Sequence, residues 1–234
     1  PLVVVVMSGS AIALNWAKPN ANAILQAWYP GEEGGTAIAQ TLDGTNNPSG
    51  RLPVTLYTGV DQLPAQAVVL LHAAVDQLPE FTDYSMARRT YRYFDGEPLF
   101  PFGFGLGYST FAYADLKVSE KIAAGDPLQV EAQVRNTGPR EGEEVVQVYL
   151  TFPKLPGAPR RALRGFTRVH LKPGEQQTVS FTLKDRDLSH VSPDGIHLVR
   201  TGHYGISIGG GQPGTGAPVV AGAFDIQGER TLPR

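Results

Sequence analysis

Glu32 and Glu33 are the most conspicuous pair of carboxylates in the chain. Two carboxylates can share acid and base work across a bond. Cleavage of a glycosidic bond with retention needs them facing each other about 5 Å apart. Neighbours at the start of a helix instead point about 100° apart. They stand where a helix is expected to begin, and an anion there is stabilising by roughly 0.3–1 kcal/mol. The pair is therefore read as helix-start chemistry and not as a catalytic dyad.

A second cluster is Arg88, Arg89, Tyr91, Arg92 and Tyr93. Aromatic faces and guanidinium forks suit sugar rings and hydroxyls. The competing reading is that the arginines pair with carboxylates at a domain interface while the rings pack, and the residue pattern leans that way. Trp16 and Trp28 can each stack on a sugar ring. Trp28 falls in an expected buried strand, so packing is its simpler role. Trp16 ends a strand beside a loop, and both roles stay open. Arg89, Tyr91, Arg92 and Trp16 are the candidate substrate-binding residues. No catalytic residue is assigned.

Other chemistries lack their residues. Met7-Ser8-Gly9-Ser10 follows a strand, yet neither the Gly-Lys-Ser/Thr phosphate loop nor the three-glycine dinucleotide fingerprint occurs. Gly103-Phe104-Gly105-Leu106-Gly107 reads as a run of turns, and a Gly-x-Ser-x-Gly elbow is absent. The five histidines (72, 170, 190, 197 and 203) form no pair at metal-ligand spacing. Pro48 spoils the glycosylation signal of Asn47-Pro48-Ser49. No metal or cofactor is expected.

The chain has 234 residues and no cysteine, which removes disulfides and thiolate chemistry within it. Its net charge of −2 gives no case for nucleic acid or an acidic membrane surface. Residues 1–111 carry a net −4 and residues 112–234 a net +2. No apolar run of about 18 residues offers a membrane span. Leu2–Met7 reads as a parallel strand apolar on both faces. A chain rarely starts inside such a strand, so residues before Pro1 are expected to belong with it.

The elements that must hold these residues divide the chain. Strands are expected at Leu2–Met7, Ala11–Trp16, Ala23–Tyr29 and Leu52–Tyr57. A helix is expected at Gly35–Leu42, with Gly44 as its left-handed cap. Interleaved strands and helices argue for an α/β layer over residues 1–80. Val60-Asp61-Gln62-Leu63-Pro64 recurs as Val75-Asp76-Gln77-Leu78-Pro79. This is a local duplication or loop insertion, or else an extra helix covering a partner surface. Residues 81–111 form a Gly/Pro-rich connector whose ten Phe/Tyr rings must lie against a surface. From residue 112 to 234 the pattern alternates with period two between turn signals, the mark of a β-sandwich.

Three segments carry a resemblance: Trp28-Tyr29-Pro30-Gly31-Glu32-Glu33-Gly34-Gly35 with Arg51-Leu52-Pro53-Val54-Thr55, and Tyr91-Arg92-Tyr93-Phe94 running into Pro101–Tyr108. Together they resemble the C-terminal half of a glycoside hydrolase family 3 enzyme. Arg164-Gly165-Phe166 and Leu171-Lys172-Pro173-Gly174-Glu175 resemble the fibronectin type III-like module that closes many such enzymes. The implied fold is an α/β sandwich fragment, a partial domain, followed by an all-β fibronectin type III-like (immunoglobulin-like) sandwich.

The resemblance implies a retaining exo-β-glycosidase of β-xylosidase or β-glucosidase type. Its nucleophilic Asp would lie on an N-terminal (β/α)8 barrel and its acid/base Glu upstream as well. This chain alone is then expected to be inactive. Tyr84–Tyr93 leans towards xylosidase. The partners implied are that barrel and an oligosaccharide or aryl glycoside, in the periplasm or secreted. The alternative is a non-catalytic subunit or a β-sandwich binding or adhesion module. That would show as a row of exposed aromatics among Phe111, Tyr113, Tyr149, Phe152, Phe166, Phe181, Tyr204 and Phe224.

Overall fold

The computed structural model describes residues 1–64 and 86–233. The apolar stretch 65–74, the second copy of the repeat at 75–79 and the start of the connector lie outside the described residues. The chain divides into two compact units: residues 1–46 with 52–102, and residues 47–51 with 103–234.

In the first unit, β1 (Val3–Val6) pairs in parallel with β2 (Ala23–Gln26), and α1 (Ala17–Asn20) lies between them in sequence. Val6, Leu14, Ala17, Leu56 and Leu99 form the buried core. β1 was expected to be covered on both faces, yet Val3 and Val5 are 44% and 37% exposed. Its alternation therefore buries Val6 on one side only. α2 (Gly34–Asp43) starts at Glu33 and ends at Gly44, whose φ of 84° is the left-handed cap that glycine adopts without strain.

Two expected strands do not form. Ala11–Trp16 ends in a turn leading into α1, and Leu52–Tyr57 contributes only the isolated bridge Leu56–Phe100. Apolar content set both expectations. A strand, however, needs a neighbour to take its N–H and C=O groups, and over most of these residues no ladder forms. Trp28 was expected inside a strand. It lies beyond the end of β2, half-buried, with φ of 55°. There it turns the chain instead of extending the sheet.

The second unit is a β-sandwich. One sheet of three strands has the order β3 (Phe111–Val118), β5 (Leu128–Asn136), β8 (Gln176–Leu183). The other has five: β4 (Lys121–Ala123), β12 (Val219–Gln227), β11 (Gly202–Gly209), β6 (Gly142–Thr151), β7 (Arg161–Leu171). A short third sheet joins β9 (His190–Val191), β10 (His197–Val199) and β13 (Arg230–Leu232).

Alternation builds the core. Leu128, Val130, Ala132 and Val134 on β5 are buried, as are Val146, Val148 and Leu150 on β6. Burying each such side chain contributes roughly 1.5–3 kcal/mol. Tyr204 donates its hydroxyl to the Arg200 carbonyl at 2.8 Å and stacks on Phe224 with centroids 5.6 Å apart. Such a tyrosine, bonded to backbone a few residues upstream, locks the corners of immunoglobulin-like sandwiches.

Candidate functional site

The candidate binding residues fall on two elements of the first unit. Arg89 precedes the short helix α3 (Thr90–Tyr93), which carries Tyr91 and Arg92. Trp16 stands apart at the start of α1 with its ring 67% exposed. The structure brings the first three together and leaves Trp16 on a separate element.

The α3 group is built by packing. Tyr91 stacks on Phe102 with centroids 4.2 Å apart and planes 13° from parallel, so one face of its ring is taken. Tyr57 is the hub that sequence reading missed. Its hydroxyl accepts the Thr90 N–H at 2.8 Å, and its ring meets Phe94 edge-on at 5.0 Å. Burial pushes the Tyr57 phenol up, partly offset by the Thr90 hydrogen bond and the nearby charge of Arg89. No signal in the sequence separates Tyr57 from an ordinary strand residue. Arg89 and Arg92 are half-buried, and Arg88 is exposed. The group sets guanidinium groups beside aromatic rings, and among the described residues it contains no carboxylate pair.

The carboxylates described in the first unit (Glu32, Glu33, Asp43, Asp61, Asp95 and Glu97) are all exposed. None sits in the apolar surroundings that make a carboxyl group a general acid. Asp43 accepts the Thr45 N–H at 2.7 Å, and that bond holds its carboxyl below the usual range. Glu33 stands at the N-cap position of α2, at the helix start where it was expected, but makes no side-chain capping hydrogen bond.

The second unit holds a buried charged cluster. Arg51 Nη2 meets Glu144 Oε2 at 2.7 Å, with the two side chains 12% and 4% exposed. Tyr113 donates its hydroxyl to Glu144 Oε1 at 2.7 Å. Burial first, and then the Glu144 charge, push the Tyr113 phenol far up, so it stays a proton donor. Beside the cluster is a cavity of about 330 Å3, lined by Pro48, Phe104, Leu106 and Phe111 as well as Arg51 and Glu144. Both Glu144 oxygens are already engaged, one by Arg51 and one by Tyr113, so the arrangement serves structure better than ligand capture. In the sequence Arg51 stands only as the first residue of the motif Arg51-Leu52-Pro53-Val54-Thr55 and Tyr113 only as one of the sandwich aromatics, and nothing there singles out Glu144.

Glycines make room for this cluster. A side chain at Gly105 would run into the Gly50 carbonyl, and one at Gly107 would lie 2.6 Å from the Pro48 oxygen. At Gly103, φ is 79°, and its carbonyl accepts Gln147 Nε2 at 3.0 Å. The run of turns read in the sequence is thus a place where two backbones approach closely.

The aromatic row expected of a binding module does not form. Tyr149, Phe152, Tyr204 and Phe224 are buried; Phe111, Tyr113 and Phe181 are partly so. Phe166 alone of that set is exposed, at 69%. Among the described residues no group of three His, Cys, Asp or Glu could hold a metal, and no helix is long and apolar enough to cross a membrane.

Comparison with known proteins adds a second line of observation. Residues 1–108 match the glycosyl hydrolase family 3 C-terminal domain, and residues 144–212 match the fibronectin type III-like domain. The chain is 45% identical over 181 residues to a xylan 1,4-beta-xylosidase of Xylanibacter ruminicola, covering 77% of this chain and 19% of that protein. It is 35% identical to a periplasmic beta-glucosidase of Salmonella typhimurium, covering 97% of this chain and 29% of that one. Among solved structures, beta-glucosidase 3B of Thermotoga neapolitana superposes with a TM-score of 0.85 at 31% identity, over 98% of this chain and 32% of that one. The chain therefore spans about a fifth to a third of the length of these relatives.

Proposed function

This chain belongs to glycoside hydrolase family 3, and from that membership we propose that it forms the scaffold and cleft-completing part of a retaining exo-β-glycosidase. The substrates are oligosaccharides or aryl glycosides ending in a β-D-xylosyl or β-D-glucosyl residue. The observation that carries this reading is the similarity, over most of the chain, to proteins named xylosidase and glucosidase.

In this proposal the catalytic carboxylates lie outside residues 1–234. An Asp on an N-terminal (β/α)8 barrel attacks the anomeric carbon. A Glu upstream of this chain protonates the leaving group and then activates water. The exposure of the carboxylates described in the first unit supports assigning that work elsewhere.

Arg89, Tyr91, Arg92 and Trp16 are proposed to border the sugar site from this side. Trp16 is the best presented, because its ring is open. Tyr91 has one ring face committed to Phe102. A periplasmic or secreted location is part of the same proposal, supported by the relative named as periplasmic.

The test is hydrolysis of aryl β-xylosides and β-glucosides. The pure 234-residue chain is expected to show no turnover, while the same sequence joined to its barrel cleaves one or both. Turnover that rises in proportion to the amount of pure chain would overturn the reading.

A further inference from the structure

Five residues break the rule that sequence neighbours share a unit. The chain leaves the first unit after Asn46, runs through the second from Asn47 to Arg51, and returns at Leu52. Every second residue of this segment is anchored. Asn47 donates to Ser109 Oγ at 3.2 Å and to the Glu141 carbonyl at 2.9 Å, and it accepts the Tyr108 N–H at 2.8 Å. Ser49 donates to Glu143 Oε2 at 3.2 Å. Arg51 pairs with Glu144, and its Nη1 also donates to the Ser49 and Gly50 carbonyls at 3.0 and 3.2 Å. One guanidinium therefore both shapes the segment and ties it down.

We infer that Asn47–Arg51 is a strap by which the sandwich keeps the first unit folded. Two further facts support it. The seat is made to fit, since Gly105 and Gly107 leave room only for bare backbone opposite Gly50 and Pro48. The cores are also unequal: among the described residues the first unit buries five hydrophobic side chains in its cluster, whereas the sandwich buries twenty-one. A small core holds little stability by itself. Pinning both ends of a five-residue segment removes freedom from the unfolded first unit that its own core need not then offset. Arg51–Glu144 is the dominant anchor, because breaking a buried ion pair leaves an uncompensated charge. The inference rests on this geometry and is independent of the glycosidase reading.

Urea unfolding of the 234-residue chain tests it with two probes. Both tryptophans, Trp16 and Trp28, lie in the first unit, so indole fluorescence reports that unit alone. Amide exchange of β5 and β11 reports the sandwich. The two signals are expected to move together in the unaltered chain. In Arg51→Ala the fluorescence transition should come first, with the unfolding constant of the first unit rising about a hundredfold. The sandwich signal should also shift, because Glu144 on β6 is left buried without its counter-charge, but by less than the fluorescence signal.

Lys117→Ala is the control. It removes a charge from the sandwich but breaks only the exposed pair with Glu131 at 3.6 Å, which no strap residue touches, and the signals should stay together. If Arg51→Ala yields no folded chain, Ser49→Ala makes the same comparison with a smaller separation. Signals already separate in the unaltered chain, coincident in the strap variant, or equally separated in Lys117→Ala would overturn the inference.

Discussion

His190 is buried where the ring of Phe152 meets it edge-on, 6.2 Å away, and its Nδ1 has no hydrogen-bond partner among the described residues. Burial, and then the positive charge of Arg200, hold its pKa below the ordinary 6.5. The unfolded chain takes up this proton near pH 6.5, while the folded chain resists it to a lower pH. This contribution to stability is therefore complete above about pH 6.5 and is lost as pH falls towards the folded value. Denaturation at pH 7 and pH 5 should show a loss that shrinks in His190→Phe; an unchanged loss would assign it to other groups.

Asn136 is the opposite case, buried with every bond made. Its amide donates to the Arg140 and Leu171 carbonyls at 2.8 and 2.9 Å, and its Oδ1 accepts the Gly138 N–H at 2.9 Å. Asn136→Ala removes three hydrogen bonds, although the Gly138 N–H keeps the Thr110 carbonyl at 3.2 Å and the Arg140 carbonyl keeps the Ser109 hydroxyl at 2.7 Å, and should cost about 1–3 kcal/mol in chemical denaturation. A cost below about 1 kcal/mol would mean that water replaces the amide.

At the scale of elements, the edge strand β7 shows how one inserted residue changes what a strand presents. Val148 pairs with Gly165 but Tyr149 with Leu163, so Arg164 is an extra residue, a β-bulge. Before it Ala162 faces the core; after it Val169 and Leu171 do. Without the bulge Phe166 would share the parity of Ala162 and point inwards. With it, Phe166 faces solvent, Gly165 lies against Phe181, and Arg164 reaches the Ser189 carbonyl at 2.7 Å. Phe166→Lys should change stability by less than about 0.5 kcal/mol, while Val169→Lys should cost more than about 3 kcal/mol. Equal costs, measured by thermal or urea denaturation, would place Phe166 in a covered environment.

At the scale of the molecule, the two units carry unequal loads. The sandwich has a buried ion pair and a large core; the first unit has a short parallel sheet with an open face. The proposed division of labour follows, with chemistry supplied by carboxylates outside the chain and this part holding a surface of the cleft in place. Its activity test and the unfolding comparison fail independently, because one reads turnover and the other the order in which two units unfold.

Much of this was legible in the sequence, because its cause is local. Alternation on β5, β6, β8 and β11 follows from period-two burial, which neighbours a few residues apart already display. The cap at Gly44 and the turn at Gly174, with φ of 84° and 79°, follow from the freedom of glycine alone. The motifs spread over both units were enough to indicate the family.

What only the tertiary structure decided depends on partners far apart in the chain. Ala11–Trp16 has strand composition but finds no partner strand. Tyr91 and Tyr57 become packing residues only when Phe102 and Thr90 reach them. Arg51 acquires its role from Glu144, 93 residues away, across a seat that two glycines keep open. Local pattern specifies which way a side chain can face, but a buried charge needs its counter-charge brought to it, and only the folded chain does that.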